Sequence, residues 1–237
     1  MKIKNTLIVI LVIGILALTA CQQQSENTIN VDGSSEINVE PDEAEVWAGI
    51  SIVKDTAQEA QAEANEAINN MIDGLRYKGI SEQDIETENL NLYEEYSWDE
   101  GTRKSIGWRA SQTLKIKTND LTKVGEIVDI CVKNGANQLN NINFKLSKEK
   151  EAEYKKQALA EATINAKEKA ETITESLGAR LGKIKTVSES NFGYRPYMYE
   201  MTAKASGVAM DMVEEAASIM PSDVTVTANI NIVYYIQ

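Results

Sequence analysis

The chain carries 36 acidic side chains, two cysteines and no histidine, and that inventory bounds its chemistry. Without imidazole there is no side chain that titrates unaided near neutral pH, no Ser-His-Asp or Cys-His arrangement, and no His-bearing metal site. Carboxylate pairs could in principle do acid and base work, as in glycoside hydrolysis. With 36 acids in the chain, however, such pairs arise by chance, and no nucleophile–base pair stands out. The chain reads as a protein that is not an enzyme and needs no cofactor. Two acidic clusters could face a hard cation: Glu94, Glu95, Asp99 and Glu100 in one, and Asp211, Glu214 and Glu215 in the other. Cation sites need several oxygens around one point, and neither cluster follows a D-x-[DN]-x-[DN]-G loop. Solvated acidic faces are the simpler reading, and a ligand- or cation-binding protein is the alternative.

The cysteines divide between two roles. Lys2 and Lys4 precede an apolar run from Leu7 to Leu18, which leads into Leu18-Thr19-Ala20-Cys21. A positive start, a short apolar stretch and small residues before the last position are the signs of a processed export signal. The segment resembles the lipobox of a bacterial-type lipoprotein. In such a signal the Cys21 thiol attacks the lipid donor and carries diacylglycerol, with palmitate-class chains completing the anchor. The apolar run is shorter than the ~20 residues that a membrane-spanning helix needs, so cleavage after residue 20 is expected. Residues 21–28 then form a polar tether without apolar periodicity. Several acyl chains anchor stably where one does not, which places the body outside the cytoplasm on a membrane surface. Cys131 lies at helical spacing with Leu121, Val124 and Val128, and reads as a small buried hydrophobe.

Charge argues in the same direction. Lys and Arg total 24 against 36 acids, a net charge of -12, and such a surface repels phosphate backbones, so nucleic acid is not a partner. Hydrophobic residues make up 43% of the chain, enough for a folded core and too many for disorder.

Periodicity then places the elements. Thr28–Val39 reads as extended pieces broken at Asp32-Gly33-Ser34-Ser35, and Ala44–Val53 alternates as a strand. Asp55–Lys78 carries the stripe Ala57, Ala60, Ala64, Ala67, Ile68, Met71, Ile72 and Leu75, an amphipathic helix stopped by Gly79. Ile85–Trp98 and Trp108–Lys117 form a long hairpin about Asp99–Thr102. A helix from Leu121 ends at Asn134-Gly135, and Leu139–Leu146 is a strand. Lys148–Leu177 is the longest helix, with Leu159, Ala162, Ala166, Ala170, Ile173 and Leu177 as its buried stripe and Gly178 as its stop. Ile184–Ser190 and Val224–Ile236 are strands. Together these predict an α+β fold in two layers, a mainly antiparallel sheet covered by long amphipathic helices. Residues 29–237 read as a single domain. Its long connection at 191–221 is an insertion holding Phe192, Tyr194, Tyr197 and Tyr199 and the methionines Met198, Met201, Met210, Met212 and Met220. Long loops of this kind are functional or disordered, and Met beside Tyr suits an adaptable contact surface. Phe192, Tyr194, Tyr197, Met198, Tyr199, Met201, Met210 and Met212 are the candidate interaction surface; packing of this segment on its own domain weighs equally.

Several stretches carry a resemblance. Ile29-Asn30-Val31-Asp32-Gly33-Ser34 followed by Val39-Glu40-Pro41-Asp42-Glu43-Ala44 resembles a "V-x-G" strand leading to a "P-D-x-A" corner. Gly79–Thr87 is similar to a "G-I-x-x-x-D-I-x-T" turn, Ala158–Gly182 to an Ala-rich helix ending in Leu-Gly, and Pro221–Val226 to a closing "P-G-x-x-x-V" strand with Ser222 in the glycine position. In this order the motifs resemble the SIMPL-domain family of exported and envelope proteins. Pro41, Asp42, Gly79, Asp84 and Gly178 have structural explanations as corner, turn and helix-stop residues. The resemblance implies a non-enzymatic envelope protein that self-assembles into a homo-oligomer, with a link to stress tolerance.

Overall fold

The computed structural model describes residues 26–99, 101–200 and 219–237, and along them period-two segments alternate with helical ones. The strands are β1 (Thr28–Val39), β2 (Glu43–Lys54), β3 (Ile85–Asp99), β4 (Thr102–Thr118), β5 (Gln138–Lys145), β6 (Leu181–Arg195), β7 (Tyr197–Glu200) and β8 (Val224–Ile236). The α-helices among the described residues are α1 (Ala57–Tyr77), α2 (Val124–Lys133) and α3 (Lys148–Ser176). They accompany a five-stranded sheet in the order β3-β4-β2-β5-β7 and a three-stranded sheet in the order β1-β8-β6. The strand pairs of the larger sheet are antiparallel, so the fold class is α+β. The described residues include no helix long and apolar enough to cross a membrane.

The chain divides into two compact units. One consists of Ser35–Glu161 and Asn191–Ala228. Its core begins on β2, where Ala44, Val46, Ala48 and Ile50 are buried on one face. Val46 lies opposite Ile116 of β4, Ala48 opposite Leu114, and Ala44 opposite Phe144 of β5. Helix α1 adds Ala60, Ala64, Ile68, Met71 and Leu75 to the same cluster, and α2 adds Val124, Ile127, Val128 and Cys131. Burying side chains of the Ile, Met or Leu kind stabilises by about 1.5–3 kcal/mol each. Thr56 caps α1: its oxygen accepts from the Glu59 amide at 3.2 Å, and its hydroxyl donates to the Glu59 carboxylate at 2.9 Å. At the other end Gly79, at φ +84, releases the chain. On the opposite face of β2, Lys145 lies 2.9 Å from Glu43 and 2.7 Å from Glu45. Burial works against the Lys145 charge, but the two carboxylates outweigh it and hold its pKa above the usual range.

The Pro41-Asp42 corner ties this sheet to the longest helix. Asp42 accepts from the Ser147 amide at 2.8 Å and from the Ser147 hydroxyl at 2.9 Å, with the Lys150 amine 3.5 Å away. Ser147 in turn accepts from the Lys150 amide at 3.4 Å, so Asp42 fixes the residue that caps α3. Partial burial pushes the Asp42 carboxyl upward, but the Ser147 bonds and Lys150 outweigh it and leave the pKa below the usual range. A folded pKa below the unfolded one gives stability that is complete above the ordinary Asp range and lost as pH falls through the folded value. Asp42→Asn is therefore expected to cost about 1 kcal/mol at pH 7. It should also flatten the loss of thermal stability below about pH 4; identical melting-temperature profiles for the two proteins from pH 6 to pH 2 would contradict this.

The other unit holds residues 26–34, Ala162–Ser190 and Asn229–Gln237 of the described chain. Here Gly33 and α3 meet backbone to backbone. A Cβ built on Gly33 would stand 2.0 Å from the Ala162 carbonyl oxygen and 2.7 Å from the Ala166 Cβ. The contact is stitched by the Asn165 side chain, which accepts from the Ser34 amide at 3.2 Å, and by Lys169, which donates to the Asp32 carbonyl at 3.0 Å.

Two expectations are corrected. Thr28–Val39 is one continuous strand, not pieces broken at Asp32–Ser35; Gly33 marks close approach of a helix, not a turn. The buried line of α3 is Ala158, Ala162, Ala166, Ala170 and Thr174, whereas Ile173 and Leu177 are exposed and Leu159 is half-buried. A helix lying this close to a strand has room only for small side chains, so its large apolar residues are turned aside.

Candidate functional site

The expected insertion begins inside β6, which continues through Asn191 to Arg195, and Tyr197–Glu200 forms β7 on the edge of the larger sheet. The structure brings five of the candidate residues together on this stretch. Phe192 is half-buried, with the Lys155 amine 4.5 Å from its ring centroid. The Tyr194 hydroxyl accepts from the Leu146 amide at 2.6 Å, and burial raises its pKa. Tyr197 lies opposite Phe144 with ring centroids 6.2 Å apart, and packs against the core of its unit. These three are anchors within their own unit. Met198, opposite Asn143, and Tyr199, opposite Ile142, are exposed. Met201, Met210 and Met212 lie outside the described residues, as does the proposed attachment point Cys21.

A larger exposed apolar surface lies where it was not expected, on the β3–β4 hairpin. β4 pairs with β2 only as far as Trp108, opposite Lys54. Beyond that point Thr102–Gly107 pairs with β3 alone among the described residues, as a two-stranded arm. The arm leaves the sheet at a bulge: pairing passes from Glu95 opposite Gly107 to Tyr96 opposite Ser105, with Ile106 as the extra residue. Gly107 has φ +124, and a Cβ there would meet the Lys54 carbonyl oxygen at 2.5 Å, so glycine is required on both counts. Along β3 and the arm, Leu90, Leu92, Tyr93, Tyr96, Trp98 and Ile106 are exposed, Trp98 to 74%. The Arg103 guanidinium sits 3.5 Å over the Tyr96 ring. Two-stranded ribbons are marginal in water without something to cover them, and these exposed apolar side chains are candidates for such a contact. A sequence signal existed: β3 places apolar or aromatic residues at both even and odd positions, which leaves no face free of them.

The acidic cluster at this hairpin is occupied by its own neighbours. Tyr96 donates to Glu94, and that bond, followed by one from Ser105, lowers the Glu94 pKa. Arg109 pairs with Glu95 and lowers its pKa in the same way. Lys104 pairs with Asp99 at 3.1 Å. Glu100, Asp211, Glu214 and Glu215 lie outside the described residues. Among the described residues no group of three or more Cys, Asp and Glu side chains is placed to hold a metal.

Comparison with known proteins adds a family and relatives. The model of the SIMPL family, described as a protein of unknown function (DUF541), matches residues 29–234. The chain is similar to the 26 kDa periplasmic immunogenic protein of Brucella melitensis, at 28% identity over 190 residues, or 76% of this chain and 75% of that protein. It is similar to the uncharacterized protein YggE of Escherichia coli K12, at 25% identity over 197 residues, or 82% of this chain and 79% of that protein. A Xenopus laevis homolog of interleukin-1 receptor-associated kinase 1-binding protein 1 is 23% identical over 169 residues, covering 70% of this chain and 65% of that protein.

Proposed function

This chain belongs to the SIMPL family, and from that premise we propose that it is a lipid-anchored, non-enzymatic protein of the cell envelope that acts as an interaction module and assembles with copies of itself. The carrying observation is the exposed apolar surface of β3 and the arm, where Leu90, Tyr93 and Trp98 face solvent. Carboxylates that could have served chemistry there are engaged by Tyr96, Arg109 and Lys104. The name of the Brucella relative supports an extracytoplasmic location, and the Leu18-Thr19-Ala20-Cys21 sequence supports a lipid anchor. Met198 and Tyr199 are exposed on β7, at the opposite edge of the same sheet, and form a separate candidate contact.

Two measurements test this reading. The intact mass of protein purified from its native membrane should correspond to a chain beginning at Cys21 with acyl groups attached; residues 1–20 retained and an unmodified Cys21 would remove the anchor. The full chain in mild detergent should sediment as more than a monomer at tens of micromolar, and a strict monomer would remove the assembly.

A further inference from the structure

We infer, resting on the self-assembling reading above, that copies join head to tail by strand addition, the free edge of β3 in one copy receiving β6 of the next. Among the described residues β3 ends the five-stranded sheet and β6 ends the three-stranded one. Each therefore presents a row of unpaired backbone donors and acceptors, the template for adding a strand. Both are 15 residues long, about 50 Å at ~3.3 Å per residue, so neither is the short, blunted edge that discourages pairing.

The guards that proteins place on such edges are present on β3, but only at its ends. Pairing with β4 shifts register between Thr87 and Asn89, beside Glu86 and Glu88, and again between Glu95 and Tyr96. Between these bulges Asn89–Tyr93 carries no charge and exposes Leu90, Leu92 and Tyr93. On β6, Ile184 and Val187 are exposed to 56% and 51%. The β3 edge thus has an uncharged apolar centre, whereas on β6 Lys185 stands between Ile184 and Val187, a guard that an acidic partner edge would neutralise.

Charge selects the partner. Every charged residue of β3 is acidic (Glu86, Glu88, Glu94, Glu95 and Asp99), so β3 against β3 would set like charges together. β6 carries Lys183, Lys185 and Arg195 against the single acid Glu189. Part of this contrast is already spent inside the chain, because Lys115 and Arg109 of β4 pair with Glu86 and Glu95, and Lys185 pairs with Glu26. The β4 cations nevertheless lie one strand, about 4.8 Å, behind the edge, so an approaching strand meets carboxylates first. An antiparallel register that sets Lys183 opposite Glu95 brings Lys185 to Tyr93, next to Glu94, and Val187 to Asn91. It leaves Glu189 opposite the neutral Asn89. Two different surfaces meet in such a contact, so each copy keeps one of each free and the chain of contacts continues until it closes.

The full chain in mild detergent tests this with two blocked variants. Leu90→Lys with Tyr93→Lys blocks the β3 edge, and Lys183→Glu with Val187→Glu blocks the β6 edge; all four positions are exposed, so folding should be preserved. Each variant alone should dissociate at concentrations at least about tenfold higher than wild type, while an equimolar mixture should form a 1:1 pair and stop there. As a second measurement that leaves the edges nearly intact, Asn91→Cys in one tagged copy and Val187→Cys in another should cross-link on mild oxidation, above the background of wild-type chains. If wild type assembles but both blocked variants assemble equally well, or their mixture stays monomeric, or the cysteines do not join, the edge assignment is overturned and the self-assembling reading survives. A monomeric wild type overturns both.

Discussion

Replacing Gly33 with leucine is expected to destabilise the protein more than any other single change on β1. The cause is position, not backbone conformation: a Cβ would lie 2.0 Å from the Ala162 carbonyl oxygen, 2.7 Å from the Ala166 Cβ and 2.8 Å from the Ala166 amide nitrogen. Two of these neighbours are backbone atoms of α3, which cannot rotate away, so helix and strand must separate. Overpacking costs about 1–3 kcal/mol when side chains can adjust, and a forced backbone shift belongs in the tail at about 4 kcal/mol or more. For a chain of this size that lowers the melting temperature by roughly 10 °C. Gly101→Ala is the control, since a Cβ there meets nothing within 4 Å and only the positive φ of 79 opposes it; it should cost only about 1 kcal/mol. Equal losses for the two variants by thermal circular dichroism would refute the close-contact account.

Phe144→Ala should have a comparable effect by the opposite route, an emptied space. Phe144 is fully buried, opposite Ala44 of β2 on one side and Tyr197 of β7 on the other. Loss of a buried phenyl ring costs about 3–5 kcal/mol, part for lost transfer and part for the cavity left behind. The added interest lies in β7, because the tilted contact between Phe144 and Tyr197, at 34° between ring planes, holds the strand that presents Met198 and Tyr199. A double-mutant cycle with Tyr197→Ala should return a coupling of about 0.5–1.5 kcal/mol. Simple additivity would mean that β7 is held by its backbone bonds alone.

What the sequence could express about this molecule was mostly periodicity. Val224–Ile236 alternates cleanly enough to be bounded to the residue, and the stripe of α1 needed only its Thr56–Glu59 capping box to place its start at Ala57. Asp42 was legible as a corner acceptor, but its partner Ser147 lies 105 residues away, and no local pattern encodes such a distance. The same limit explains β1 and α3. Gly33 and the alanines Ala162, Ala166 and Ala170 are one feature, a close backbone contact, yet each half has an ordinary local reading, a turn glycine and an amphipathic stripe. The candidate surface divides along the same line. Aromatic content pointed to Phe192, Tyr194 and Tyr197, but composition does not distinguish a tyrosine that caps a backbone amide from one that faces water. The end of β2 and the turn of the hairpin are each legible locally, but the register of β2 on β4, which leaves the hairpin projecting beyond Lys54, is a long-range pairing that no local pattern encodes.

The Cys131 thiol, fully buried in the core and pushed by that burial to a pKa of about 12, bears on how the protein reaches its final state. Disulfide catalysts of an oxidising compartment act on thiolates, and the folded body offers them none. Once folded, the body should be indifferent to the redox poise of an extracytoplasmic compartment.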